Sequence, residues 1–237
     1  MAMLLDEYLS EHFITLEELA GRCDMSPSTL SRLIREQLVM APSYVISGTA
    51  VIESYVFGPM ACEGSRDGVY FHPSTVVWVS RATSVVREVG EAAAYERLKA
   101  LFEERCSLAL ADLNKTVWRL PDCFAEEGTV IAKGLQNRLQ SVWDHHLRGT
   151  VGLCVANPDS EAAIARKEIL QEKLSSLSEN GTRQVFSRLE AKQLLGVIDA
   201  YAACVMRFSP VEYPVSSRRR LVDDLRPRVL EAMSEPG

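Results

Sequence analysis

The sequence lacks any apolar stretch long enough to cross a bilayer, since no run approaches the roughly 18 uncharged apolar residues that a membrane helix requires. Its first residues, MAMLLDEYLSEHF, also lack the positive charge with which a secretion signal begins. We therefore expect a cytoplasmic protein that does not associate with membranes.

Motifs for metals, disulfides and cofactors are missing as well. The six cysteines form no CxxC pair and have no histidine at ligand spacing, and the adjacent histidines at 145–146 would point about 100° apart on a helix. The sequence has no nucleophilic triad, phosphate-cradling loop or dinucleotide fingerprint. We expect no metal and no cofactor, and any chemistry would be acid and base catalysis on a reactive substrate.

The chain has no excess of basic residues. Its 237 residues include 26 Lys and Arg against 32 Asp and Glu, which gives a net charge of −6 and a pI near 5.4. This balance argues against a protein that coats nucleic acid or anionic lipid. The content of 47% hydrophobic and 24% charged residues is typical of a globular chain with one core or one core plus a small appendage.

Residues 1–40 predict three short helices, over LLDEYLSEHF, TLEELAGRC and SPSTLSRLIREQL. Thr15 and Glu18 form a capping box, and Ser26 with Pro27 supplies an N-cap and a first-turn proline. This order resembles a helix-turn-helix unit, but seven acids outnumber three arginines in it. Because phosphate contacts dominate affinity for a duplex, the acidic balance favours packing or dimerisation over DNA binding.

Residues 41–237 predict a mixed strand and loop segment followed by a helical catalytic domain. Up to residue 80, glycines and prolines separate the runs SYVI, VIESYVF, GVYF and TVVWV, which predict short strands and a small hairpin around ACEGSRDG. After residue 80 we expect a bent or broken helix followed by four more helices, and a short extended segment at 150–158. The predicted helix ranges are 82–114, 122–147, 159–178, 182–208 and 217–233. The expected fold is mainly α with a small β element, with a helix-turn-helix-like subdomain packed on a helical main domain.

An acidic residue stands at the head of an apolar stripe in the long predicted helix. At about 100° per residue, Tyr95, Leu98 and Phe102 lie on the same face as Glu91. Burial against such side chains raises the pKa of a glutamate, which can then exchange a proton near pH 7. We expect Glu91 to be buried and catalytic; alternatively, it opens a helix restarted after Gly90, where an acid complements the helix dipole.

Four further side chains are candidate substrate contacts. Trp78 alternates with valines on a predicted strand and would provide a flat wall for an indole, with core packing as the alternative. Arg66 and Arg81 offer forked guanidinium groups for a substrate carboxylate, with surface solvation as the alternative. For His72, which precedes a proline, a hydrogen-bonded structural role is favoured over a catalytic one.

The order of several segments resembles that of one family. The segments are, in order, the acidic helix-turn-helix start, APSYVI, GVYFHPSTVVWVSRA, GLCVANPDSEAAIARKEILQEKL and YPVSSRRRLVDDLR. Together they resemble the family of bacterial natural-product biosynthesis proteins that contains the β-carboline-forming Pictet–Spengler enzymes. The resemblance covers residues 4–228. It implies a cofactor-independent homodimer that condenses tryptophan, or a modified tryptophan, with an aldehyde and closes the indole onto the iminium.

The same resemblance implies roles for individual residues. A glutamate serves as acid and base, for which Glu91 fits best and Glu88 or Glu96 is the alternative. An arginine upstream helps to hold the substrate, which would be Arg66, with Arg81 in second place.

Such chemistry suits one poised carboxylate, because expelling water from the amine adduct and restoring the aromatic ring both need proton transfer. Trp78 or Tyr95 would orient the indole by stacking.

Two other classes of function compete with the enzyme. A helix-turn-helix transcriptional regulator with a ligand-binding domain predicts salt-dependent duplex binding. A noncatalytic helical scaffold predicts no pocket around Glu91.

Overall fold

The computed structural model describes residues 4–48, 50–62 and 66–234. The first part of the chain alternates helices with short strands: α1 (Leu5–His12), β1 (Ile14–Thr15), α2 (Leu16–Arg22), α3 (Pro27–Arg35), β2 (Tyr44–Ser47), β3 (Val51–Ser54), β4 (Gly58–Ala61) and β5 (Gly68–Phe71). The second part is helical: α4 (Thr75–Val89), α5 (Glu91–Thr116), α6 (Ala132–Leu147), α7 (Thr150–Cys154), α8 (Glu161–Leu177), α9 (Arg188–Cys204) and α10 (Leu225–Ser234). A 3₁₀ turn (Tyr213–Val215) and a π-helical turn (Arg219–Asp223) precede α10. None of the helices in these ranges is both long and apolar enough to span a membrane.

The three predicted N-terminal helices are confirmed, and local side-chain caps explain where α2 and α3 begin. Thr15 Oγ1 accepts the backbone N–H of Glu18, whose carboxylate in turn accepts the N–H of Thr15 at 2.8 Å. Ser26 Oγ accepts the N–H of Thr29, and Pro27 occupies the first turn of α3. These contacts satisfy amide groups that a helix start otherwise leaves unpaired.

The small β element is one five-stranded antiparallel sheet in the order β1-β5-β2-β3-β4. Residues 61–68 join β4 to β5, which are not neighbours in this order, so the hairpin predicted there is wrong; part of that segment, residues 63–65, lies outside the described residues. The hairpins instead join β2 to β3 and β3 to β4. Three strands, β2, β3 and β5, overlap the predicted runs SYVI, VIESYVF and GVYF, whereas β1 and β4 were not predicted.

One predicted strand is a helix. The segment TVVWV opens α4, in which Thr75, Trp78, Val79, Ala82 and Val85 are buried at helical spacing. The preference of valine for strands is weak and was overridden by this periodic burial. The predicted break in the long helix is confirmed at Gly90, whose φ of +79° separates α4 from α5.

The remaining helices agree with the prediction in their centres more than at their ends. α8 and α9 lie within the predicted ranges, whereas α6 begins ten residues later than expected because residues 122–131 form a loop with an isolated bridge between Phe124 and Val130. The segment predicted to be extended at 150–158 contains the short α7, followed by a bridge from Val155 to Val205.

Within the described residues, buried side chains form three clusters that together confirm a mainly α fold with a small sheet. The first cluster joins α1 and the sheet to α8, α9 and α10, and the second joins α4, α5, α6 and α8. The third packs α2 and α3 against β5, α4 and the start of α5. The helix-turn-helix-like segment is thus packed on the helical part of the chain, as predicted, and its helices contribute to the same cores as later elements.

Candidate small-molecule site

A cavity of about 220 Å³ lies among α4, α5, α6 and the first residue of α8. We call it the aromatic cavity. It combines aromatic rings, aliphatic side chains and three charged groups, and its lining residues are Leu38, Trp78, Ser80, Arg81, Ser84, Val85, Leu98, Leu101, Phe102, Arg105, Trp143, His146 and Glu161.

Four rings form the inner wall of the cavity. The imidazole of His146 lies 4.3 Å from the ring of Trp78, 4.9 Å from Phe102 and 5.5 Å from Trp143, measured between centroids, and is stacked on Trp143. Both indole N–H groups have partners: Trp78 Nε1 donates to the Pro158 carbonyl at 2.7 Å, and Trp143 Nε1 donates to the hydroxyl of Tyr95 at 3.2 Å. The wall is therefore fixed in orientation before any ligand enters.

The charged groups of the cavity centre on Glu161, whose side chain is only 5% exposed. Arg81 Nη1 donates to both of its carboxylate oxygens at 3.0 Å, and Arg105 Nη1 lies 3.8 Å from Oε1. The guanidinium of Arg81 also stacks over the Trp78 ring at 4.4 Å. Two guanidinium groups against one carboxylate leave a net positive charge, and the half-exposed Arg105 is the one available to an incoming anion.

His146 is a buried polar group whose Nδ1 has no hydrogen-bond partner among the described residues. Burial, and secondarily the nearby charge of Arg81, lower the pKa of this imidazole to about 3. The ring is consequently neutral at physiological pH. Since buried polar atoms are rarely left unpaired, Nδ1 marks a place where a ligand can supply the missing hydrogen bond.

This combination suits a flat molecule that carries a charge at one end. An apolar cavity of about 150 Å³ accommodates benzene, so a larger aromatic cavity has room for a bicyclic ring. Ligand sites typically pair such apolar walls with a few convergent polar groups. An aromatic α-amino acid fits this chemistry, because its carboxylate matches Arg105 and its ammonium matches Glu161.

Two of the predicted substrate contacts, Trp78 and Arg81, line the cavity. Tyr95 does not line it, but its hydroxyl holds the indole of Trp143, which does. The structure thus brings Trp78 and Arg81 to one hollow and places Tyr95 behind its wall, although Trp78 reaches the hollow from a helix instead of the predicted strand.

The expectation that Glu91 is buried is wrong. Its side chain is 53% exposed, and Oε1 forms an ion pair of 2.5 Å with Arg32 of α3. Glu91 is the first residue of α5, so the alternative of an acid at the start of a restarted helix is the one observed. Glu88 and Glu96 are also exposed, which means that a shift of register does not supply a buried carboxylate.

Two other predicted contacts lie elsewhere. Arg66 is exposed, and it lines a surface hollow together with the acids Asp6, Glu7 and Glu18. His72 is buried outside the aromatic cavity, where its Nδ1 accepts the N–H of Ser74 at 3.1 Å, and burial lowers its pKa to about 4. That geometry agrees with the structural role favoured for His72.

Sequence reasoning missed Glu161, Arg105, Trp143 and His146 as members of a site. Glu161 follows Ser160, which caps α8 by accepting the N–H of Ala163, so a helix start was readable there. Nothing local marked that carboxylate as a partner of an arginine 80 positions earlier.

Comparison with known proteins places the chain in a family. The model of a family described as "Family of unknown function (DUF6058)" matches residues 98–230, which is more than half of the chain, and the chain therefore belongs to this family. No curated protein and no solved structure matches it. The matched range includes Arg105, Trp143, His146 and Glu161 but begins after Trp78 and Arg81.

Proposed function

We propose that this member of a family of unknown function is a Pictet–Spengler enzyme that condenses a tryptophan-like amino acid with an aldehyde in the aromatic cavity. The observation that supports the proposal most directly is a buried carboxylate, Glu161, placed between two guanidinium groups at the edge of an indole-lined hollow. The proposal keeps the reaction expected from the sequence resemblance and moves the acid and base role from Glu91 to Glu161.

The lining residues provide a contact for each part of such a substrate. The indole would lie against Trp78 and Trp143, where offset or edge-on ring contacts stabilise an aromatic ligand. The substrate carboxylate would pair with Arg105, and the amine would lie toward Glu161. Holding the amine and the ring in one orientation removes much of the entropy cost of bringing the reacting groups together.

The reaction then needs a series of proton transfers. The substrate ammonium gives a proton to the Glu161 carboxylate, and the free amine nitrogen attacks the aldehyde carbon. The adduct loses water to give a positively charged iminium as Glu161 returns that proton to the departing water. An indole carbon attacks the iminium carbon to form the new ring, and the proton on the attacked indole carbon passes to the Glu161 carboxylate, which restores the aromatic ring. One carboxylate that gives a proton to the departing water and later takes one from the ring serves both steps.

The position of Glu161 also favours the charged intermediate. A carboxylate that is only 5% exposed attracts a cation more strongly than it would in bulk water. To act as a base, Glu161 has to loosen its contact with Arg81, and a substrate carboxylate that binds the guanidinium groups would help to release it.

The proposal is tested by comparing two glutamate variants in one assay. Purified protein is incubated with tryptophan and a panel of aldehydes, and tetrahydro-β-carboline formation is followed by mass spectrometry. Glu161→Gln is expected to lower turnover at least a hundredfold, because the variant side chain cannot accept the ring proton. Glu91→Gln is the matched control, and since Glu91 lies on the surface it is expected to keep turnover near that of the wild type.

The opposite result, with turnover lost in Glu91→Gln and kept in Glu161→Gln, would contradict the assignment of the site. No product from the wild type with any aldehyde would contradict the reaction itself. Melting temperatures of both variants establish that a loss of turnover does not come from unfolding.

The expected homodimer, the cytoplasmic location and the independence from metal, cofactor, nucleic acid and membrane stay predictions. The competing function as a DNA-binding regulator would place α3 against a duplex, yet Arg32 of that helix already contacts the carboxylates of Glu36 and Glu91. A gel shift over a range of salt concentrations tests that alternative.

A further inference from the structure

We propose a second small-molecule site, for an aromatic molecule that carries a carboxylate or phosphate group, in a groove between α1, the end of α9 and residues 207–218. We call it the basic groove. It consists of two hollows of about 430 and 480 Å³ that have His12, Arg207 and Arg218 in common. None of the residues that line it lines the aromatic cavity, so this inference stands apart from the proposed enzyme activity.

The two guanidinium groups of the groove are not neutralised by acids. Arg218 is held in place by donating from Nη1 to the carbonyls of Ala202 and Val205, both at 3.2 Å. Arg207 is exposed, and no carboxylate of the described residues forms an ion pair with either arginine. By contrast, Arg138 pairs with two carboxylates on the same molecule. Such unpaired guanidinium groups are suited to a carboxylate or phosphate.

His12 adds an unused hydrogen-bonding atom between the two hollows. Its Nε2 is buried and has no hydrogen-bond partner within the described ranges, and the carboxylate oxygen Oε1 of Glu11 lies 3.8 Å away. Burial lowers the pKa of His12, as does the charge of Arg207, while Glu11 opposes them. An imidazole N–H in this position can donate to an oxygen of a bound anion.

The walls next to the cationic groups are aromatic. Tyr8, Phe208 and Tyr213 line the larger hollow, and the ring of Tyr8 lies 5.0 Å from the imidazole of His12. A ligand with a flat apolar body and an anionic end therefore meets apolar surface and positive charge together. A bare inorganic anion would leave the aromatic walls uncovered.

The negative charges near the groove do not cancel its positive ones. Glu11 is the only acid among its described lining residues. The carboxylate of Glu212 lies behind Tyr8 and Tyr44, but it is buried and already accepts hydrogen bonds from the hydroxyls of Tyr44, Ser54 and Ser209. The groove therefore keeps net positive charge on a chain whose overall charge is −6.

The inference is tested by calorimetric titration of the full chain with four probes: benzoate, phenyl phosphate, inorganic phosphate and the neutral benzyl alcohol. We expect saturable binding of benzoate or phenyl phosphate, with the stronger of the two identifying the anionic group, and weaker binding of inorganic phosphate and benzyl alcohol. Arg207→Ala is expected to weaken the binding of the preferred probe at least tenfold. Arg188→Ala, which removes an exposed arginine at the start of α9, is the matched control and should not change it.

Three outcomes would overturn the proposal: no saturable binding of either aromatic anion, equal binding of benzyl alcohol, or unchanged affinity in Arg207→Ala. Arg218→Ala is not used alone, because loss of its two bonds to backbone carbonyls can unfold the segment. Arg207→Glu serves as the second variant, since reversal of the charge should weaken anion binding further than removal does, and binding equal to that of Arg207→Ala or stronger would count against a role for charge.

Discussion

Replacing His146 by phenylalanine should make the protein less sensitive to acid. The imidazole is buried among Trp78, Phe102 and Trp143, and burial lowers its pKa to about 3. Phenylalanine keeps an aromatic ring at this place and removes the group that has to stay neutral in the folded state. It also removes Nδ1, a buried nitrogen without a partner in the described part of the chain, so we expect no loss of stability at pH 7.

The size of the effect follows from proton linkage. An unfolded histidine has a pKa of about 6.5, so the unfolded chain binds a proton that the folded protein rejects, and stability falls as the pH drops from the unfolded pKa toward the folded one. The contribution of the neutral His146 imidazole to the free energy of unfolding is therefore fully present above the unfolded pKa of about 6.5. For a folded pKa of about 3, the contribution of His146 to the free energy of unfolding falls by about 2 kcal/mol between pH 7 and pH 5. For a chain of this size that corresponds to a decrease of about 4–8 °C in melting temperature.

The measurement is urea denaturation of the wild type and His146→Phe at pH 7 and pH 5. His72, whose pKa is lowered to about 4 by burial, is present in both proteins and contributes equally, so the difference between them isolates His146. The same substitution at the exposed neighbour His145 is the matched control and should leave the acid sensitivity unchanged. An equal loss of stability in the wild type and His146→Phe would refute the argument that this imidazole is buried and neutral.

Two substitutions elsewhere test the packing that supports the fold. In Gly149→Ala, a Cβ on a backbone with φ of +73° would clash with the carbonyl oxygens of Ala41 and Pro42, so we expect a loss of at least about 2 kcal/mol in urea denaturation. Gly21→Ala, with open space around the glycine, should be neutral or stabilising, and equal effects of the two substitutions would contradict the steric reasoning. Tyr44→Phe removes a hydroxyl that donates to the buried Glu212 at 2.5 Å and should cost about 1–3 kcal/mol, while the same change at the exposed Tyr55 should cost less, and similar costs would argue against a specific role of that hydrogen bond.

The parts of the fold that were predictable depend on neighbours in sequence. The capping box of Thr15 and Glu18 and the proline start of α3 involve residues three or fewer positions apart. The break at Gly90 was readable because the apolar stripe changes direction there. The strand predicted at TVVWV was wrong because the choice between helix and strand for valine depends on which surface buries it.

The candidate site was predictable only in part. Trp78 and Arg81 were identified from their residue types, and both line the aromatic cavity. Glu91 was chosen because it shares a helix face with apolar residues. The position of a residue on that face does not show whether its turn of the helix is covered by other elements, and Glu91 lies at the exposed end of α5.

The sequence by itself determined that the chain is a helical protein with a small sheet and where most helices lie, and it singled out Trp78 and Arg81, which line one cavity. Only the tertiary structure decided which carboxylate meets those side chains. Glu161 reaches Arg81 across 80 residues because α8 packs on α5 beside α4, and such long-range packing is set by the shapes of complete helix faces. Local periodicity records which side of a helix is apolar, whereas the partner of that side depends on the path of the whole chain.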